Sequence, residues 1–184
     1  MKRSFKVLLS GGDRRSLGRA PFVTQKLKTT KDLDQLFPLI YSSDRTVAMR
    51  AIDTLEKVTR DKPQYLLSRG NELMNFARNT GNNEIKWHIA QLLPRIDWTP
   101  QQYRKVFALV NYWASNPNES KIVRANALEA MYDLCKHTTD KRMKVLFRNA
   151  LRKAERNPIP SLSARARRLR RTSDALVDKN QGHT

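Results

Sequence analysis

Four stretches decide the fold: Val47-Ala-Met-Arg-Ala-Ile-Asp-Thr-Leu55, Ile85-Lys-Trp-His-Ile-Ala-Gln-Leu-Leu93, Val123-Arg-Ala-Asn-Ala-Leu-Glu-Ala-Met131 and Leu162-Ser-Ala-Arg-Ala-Arg-Arg-Leu-Arg170. Their first residues lie 38, 38 and 39 positions apart. In the first three, the first, fifth and ninth residues are apolar. That i, i+4, i+8 spacing falls on one stripe of a helix. The fourth keeps Leu162 and Ala166 but ends in Arg170, the pattern of a polar terminal repeat.

Working outward, each stretch has a helical partner before it. Thr30 can cap a helix over about 31–41, and Ser43 one over about 44–60. Pro63 suits the first turn of a helix over about 63–79, which Gly70 divides. Asn82 or Asn83 opens a helix over about 84–95. Thr99-Pro100 opens another to about 115, and Asn116-Pro117-Asn118 stops it. Asn118 can cap a helix to about 136, and Thr139 one to about 156. Asn157-Pro158-Ile159-Pro160 ends that helix, and Ser161 starts the last. Pro38 and Pro94 lie late in their helices and should kink or end them. No period-two strand signal follows the first nine residues. The expected fold is all-α: a right-handed α-α superhelix of about four helical hairpins over residues 30–171, because no hairpin could cover its own apolar stripe. Residues 1–29 read as a basic N-terminal arm, and 172–184 as a flexible C-terminal tail.

The composition agrees. In 184 residues the chain has a net charge of +19 and an isoelectric point near 10.6. It is long enough for one domain with a real core. Six glycines are too few for a glycine-rich phosphate-loop enzyme or a turn-dense β-sandwich, and one cysteine excludes an internal disulfide or cysteine-based zinc site. That suggests a reducing compartment. No apolar run approaches the roughly 18 residues of a membrane span. The stretch from Met1 to Leu9 is too short and too charged for an ordinary signal peptide.

Helix pairs at this period, with a V-R-x-x-A-A-x-A-L-like second helix, resemble HEAT repeats. The chain is similar to a family of small, mostly bacterial HEAT-like proteins. The matching stretches are Gly11-Gly12-Asp13-Arg14-Arg15-Ser16, Ser43-Asp44-Arg45 with Met49-Arg50-Ala51 and Leu55-Glu56-Lys57, Trp87-His88 with Gln91-Leu92-Leu93-Pro94-Arg95, and Ser120-Lys121-Ile122-Val123-Arg124 with Asn126-Ala127-Leu128. They span roughly residues 10–170. The resemblance implies the fold and carries little about activity, since that family has no established biochemical role.

Charge carries the functional reading. Residues 1–30 have a net charge of +7 and residues 141–171 of +11, whereas 31–140 have only +2. The densest block is Arg165, Arg167, Arg168, Arg170 and Arg171. The pairs 165/168 and 167/171 are like-charged neighbours on a helix, costing a few tenths of a kcal/mol each. An anion lying along the helix would offset that repulsion, and guanidinium forks suit phosphate oxygens. On the preceding helix Lys144, Arg148 and Arg152 share a stripe. A solvated terminal repeat is the plainer account of the same residues. At the other end, Arg14 and Arg15 follow two glycines, a loop able to offer backbone N–H groups to a phosphate. It lacks any P-loop or G-x-G-x-x-G pattern, so nucleotide hydrolysis has no support.

Other candidates fit packing better than chemistry. Trp87, Asp97 and Trp98 resemble, in type only, the aromatic and carboxylate cleft of HEAT-like alkylpurine DNA glycosylases. No position matches residue by residue. Arg50, His88, Asn126 and Arg165 share the fourth place of their repeats. That polar column marks Arg50, His88 and Asn126 as candidates for a concave face. His88, His137 and His183 do not give metal spacing. The carboxylates Asp53, Glu56, Glu129 and Asp133 suit inter-repeat ion pairs with Arg50, Lys57 or Arg124, and Cys135 suits a small buried hydrophobe. The expectation is a binding module without catalytic residues, cofactor or metal. It would contact the DNA or RNA backbone through Arg148, Arg152, Arg165, Arg167, Arg168, Arg170, Arg171, Arg14 and Arg15, in a bacterial-type cytosol or nucleoid. The main alternative is a scaffold gripping an acidic protein segment on its concave helix layer; the minor one is a glycosylase.

Overall fold

A computed structural model describes residues 4–11 and 18–181, with side chains described through Ser173. Every regular element among them is helical: α1 (Phe5–Leu9), α2 (Ala20–Lys26), α3 (Thr30–Leu36), α4 (Arg45–Asp61), α5 (Gly70–Asn79), α6 (Asn83–Leu92), α7 (Pro100–Ser115), α8 (Lys121–Lys136), α9 (Lys141–Glu155) and α10 (Pro160–Gln181). The apolar stripe is the core. Val47, Ala51, Leu55, Ile85, Ile89, Leu93, Val123, Ala127, Met131, Leu162 and Ala166 are each at most 2% exposed, while Arg170 lies outside.

Local chemistry sets the helix ends. The Asp44 carboxylate accepts from the N–H groups of Thr46 and Val47 at 2.8 and 3.3 Å and starts α4 in place of Ser43. Thr29, not Thr30, forms a capping box with Asp32. Thr99 forms another with Gln102, ahead of Pro100 at the first helical position. Ser120 caps α8 instead of Asn118, whose N–H is taken by the Asn116 side chain. Asp140 caps α9 instead of Thr139. Pro38, Pro94 and Gly70 act as expected. The chain tightens into 3-10 turns over Phe37–Tyr41, Pro63–Arg69 and Leu93–Arg95, and α5 begins at Gly70.

The chain forms two compact units. One comprises Met1–Leu73 with Arg95–Asp97, and the other Met74–Pro94 with Trp98–Thr184. In the first, α1 and α2 pack on α4 alongside α3 and the Phe37–Tyr41 turn. Residues 4–11 and 18–29, read as part of a basic arm, are thus packed segments; residues 1–3 and 12–17 of that arm lie outside the described residues. Leu8, Leu9, Ala20, Val23 and Leu27 are buried, and the Arg50 guanidinium, itself buried, donates through Nη1 to the carbonyls of Leu9 at 2.8 Å and Gly11 at 2.7 Å. Gly18 lies over the same group at φ +52°, where a Cβ would come within 2.9 Å of the guanidinium carbon. A second anchor in this unit is Glu56. It accepts from Arg60 at 2.9 Å and is also bonded by Arg95, whose Nη1 reaches the Glu56 carbonyl at 2.6 Å. Burial opposes ionisation there, but the hydrogen bonds from Arg95 and Arg60 hold the Glu56 carboxyl below its ordinary value.

In the second unit, α6, α8 and α10 pack side by side as one layer, and α7 and α9 as another. The layers meet through α7 on α8 and α9 on α10. The backbone helix of α10 continues to Gln181, well past residue 171, where the helix was expected to give way to a tail.

Candidate functional site

α9 owes its form to its sequence. Met143, Phe147, Ala150, Leu151 and Ala154 turn inward and are buried, and the opposite side carries Lys141, Arg142, Lys144, Arg148, Arg152 and Lys153, all exposed. Its lone acid, Glu155, is turned away to Arg170, with the Arg170 Nε 2.8 Å from Oε1. Among the described residues none of those six cations has an acidic partner. Lys153 instead donates to the Ser115 carbonyl at 3.2 Å, joining the C-terminal ends of α9 and α7.

α7 contains no acid and adds Arg104 and Lys105, both exposed. Sequence windows missed these two because acids elsewhere in residues 31–140 cancelled them in the count. The layer formed by α7 and α9 thus presents eight exposed cations with no ion pair among the described residues.

The arginine block of α10 departs from the expectation. Arg165 meets the Glu129 carboxylate at 2.6 Å, and Arg168 bonds the same oxygen. Arg170 meets Glu155. Three of the five guanidinium groups therefore already have counter-charges, and the 165/168 repulsion is offset by a carboxylate on α8 without any ligand. Arg167 and Arg171 remain exposed and without an ionic partner among the described residues. Arg14 and Arg15 lie outside the described residues, as do Gly12, Asp13 and Ser16.

The concave-face trio is corrected in two of three members. Arg50 is 5% exposed and committed to backbone carbonyls, and His88 is 2% exposed with its ring stacked on Trp87 at 3.6 Å. Only Asn126 is partly exposed, and its amide donates to the Ile122 carbonyl at 2.9 Å. At Arg50 and His88 the polar column marks buried polar groups, while Asn126 and Arg165 stay partly exposed. Arg124, expected as a carboxylate partner, is buried with Nε directed at the Ala114 carbonyl at 3.4 Å. Of the other acids read as inter-repeat partners, Glu129 joins neighbouring hairpins, whereas Asp53 pairs with Lys57 and Asp133 with Lys136, each at 2.7 Å within its own helix.

Trp98 is buried, with Nε1 donating to the Leu93 carbonyl at 2.8 Å, and Asp97 is exposed. Burial pushes the Cys135 thiol up to about 12, only partly countered by nearby Lys144 and Arg148. Among the described residues no three His, Cys, Asp or Glu gather as metal ligands, and no helix is long and apolar enough to cross a membrane.

A two-layer stack of helix pairs with an apolar stripe every 38 or 39 residues is the pattern of one family, and a model described as HEAT repeat domain matches residues 19–171. The chain belongs to the HEAT repeat domain family. No curated protein and no solved structure matches it. The match covers α2 through the arginine-rich part of α10, so the surface on α7 and α9 is part of the HEAT array itself. HEAT repeats present side chains at fixed spacing on stacked helices, which makes the chain a repeat module suited to binding.

Proposed function

We propose that this HEAT repeat module is a non-enzymatic binder of nucleic acid, engaging the phosphate backbone with the α7–α9 layer and with Arg167 and Arg171. One observation carries the reading: Arg104, Lys105, Lys141, Arg142, Lys144, Arg148, Arg152 and Lys153 are all exposed and have no acidic partner among the described residues. Gathering eight like charges without counter-charges costs folding energy that solubility does not require, and a polyanion repays it. Binding of this kind is weakly sequence-specific, because phosphates carry no sequence information. A cytosol or nucleoid, where nucleic acid is at hand, is the compartment that goes with this reading.

The test is a fluorescence-anisotropy titration with DNA, RNA and heparin across a salt series. Each phosphate neutralised on duplex DNA steepens the salt dependence by about 0.9 log units per log unit of salt. Charge reversal of Arg148 and Arg152 together should weaken binding and flatten that slope by about 1.8. Binding that ignores salt, or ignores these two substitutions, refutes the proposal.

A further inference from the structure

The cationic layer also holds apolar groups that phosphates cannot use. On α9, Val145 stands outward at 46% exposure, with Lys141 four residues before it and Arg148 three after. Leu146 beside it is also exposed. On α7, Tyr112 is 59% exposed and follows Arg104 and Ala108 along one i, i+4 row. The Asn116 amide donates to the Tyr112 hydroxyl at 3.1 Å, which restrains the ring while leaving it exposed. The Lys153 bond to Ser115 brings the last turn of α9, with Arg152, beside the turn that carries Tyr112.

We infer that this face takes single-stranded nucleic acid, with Tyr112 as a stacking platform for an unpaired base and Val145 and Leu146 as apolar ground beneath its neighbours. The inference rests on the phosphate-binding reading and specifies its substrate. In a duplex the base faces are stacked on one another, so outward apolar side chains among cations find nothing to cover. A single strand supplies phosphates and bare base faces together, and aromatic rings set in a basic surface are how proteins hold it without reading sequence. An acidic peptide is a poorer fit: the cores of protein interfaces are depleted of charge, and here cations outnumber the exposed apolar groups.

The experiment compares three labelled probes at one salt concentration: an oligothymidylate of about 16 nucleotides, its duplex with oligoadenylate, and a peptide of alternating glutamate and leucine. The native protein should bind the single strand more tightly than the duplex. Tyr112→Ala should weaken single-strand binding by about 5- to 150-fold, the range for one lost stack, and leave duplex binding and thermal stability unchanged. Tyr112→Phe, which keeps the ring, should retain most of the affinity. Equal or tighter duplex binding, or indifference of the single strand to Tyr112→Ala, overturns this inference and leaves the phosphate reading standing. Binding of the peptide alone, or of none of the probes, overturns both.

Discussion

Replacing Arg50 with Met tests whether the start of the chain is locked to the repeat array by one buried cation. Met keeps much of the side-chain volume and removes the donors that serve the carbonyls of Leu9 and Gly11. Leu9 is fully buried, so its carbonyl would lose its guanidinium donor away from water, at about 1–3 kcal/mol. Gly11 is exposed and can turn to solvent, so only the net value of its bond is lost, about 1.5–3 kcal/mol with a charged donor. Met does not carry the desolvation cost of a guanidinium, which offsets part of the loss. The expected destabilisation is about 2–4 kcal/mol. For a chain this long, unfolding entropy near 2.1 cal/mol/K per residue turns that into a fall in Tm of about 5–10 °C. Thermal unfolding followed by circular dichroism measures it. Hydrogen exchange supplies the local readout: amides of α1 should lose protection well before those of α8. Arg50→Lys, which can still reach one carbonyl, should fall between. A Met variant within about 0.5 kcal/mol of the native protein, with α1 still protected, would refute the reasoning.

Two further outcomes follow from named contacts. The folded-state pKa of Glu56 is lowered, so its contribution to stability is present above the unfolded value near 4.5 and is lost as pH falls through the lower folded value. Urea midpoints measured between pH 7 and pH 3 should therefore drop on acidification, and Glu56→Gln should flatten that drop while lowering stability at pH 7. Glu129→Gln should cost about 1 kcal/mol, because both of its arginine partners are partly exposed, while tightening polyanion binding and steepening its salt slope by up to about 1.8 as Arg165 and Arg168 are released. Parallel thermal melts and anisotropy titrations separate the two effects.

The fold was legible because a buried stripe leaves a periodic trace: Val47, Ile85, Val123 and Leu162 recur at one spacing whatever lies between them. The site was legible only in part. Arg50 and His88 defeat a reading by polarity because both are polar and buried. What buries Arg50 is a pair of carbonyls about forty residues away, and no local pattern announces them. Arg104 and Lys105 were hidden because charge summed along a chain mixes the faces of every helix it crosses. The Glu129 pairings carried a signal that went unread. Arg165 and Arg168 lie 36 and 39 residues after it, close to one repeat, so looking one period upstream of each arginine would have found its partner. The N-terminal helices had only the short run at Val7-Leu8-Leu9 and the apolar spacing of Ala20, Val23 and Leu27 to mark them, too little to tell a packed segment from a loose one.

Glu129 behaves toward Arg165 and Arg168 as a permanently tethered rival to any incoming phosphate. It sits at fixed range, so its grip does not weaken on dilution, whereas a soluble anion must first be captured elsewhere to reach a comparable local concentration. On the proposed reading, an arriving strand would land first on the cations without an acidic partner, and these two guanidinium groups would change hands only afterwards. That ordering would give the last hairpin two grades of attachment, one fast and open, the other slower and won by displacement.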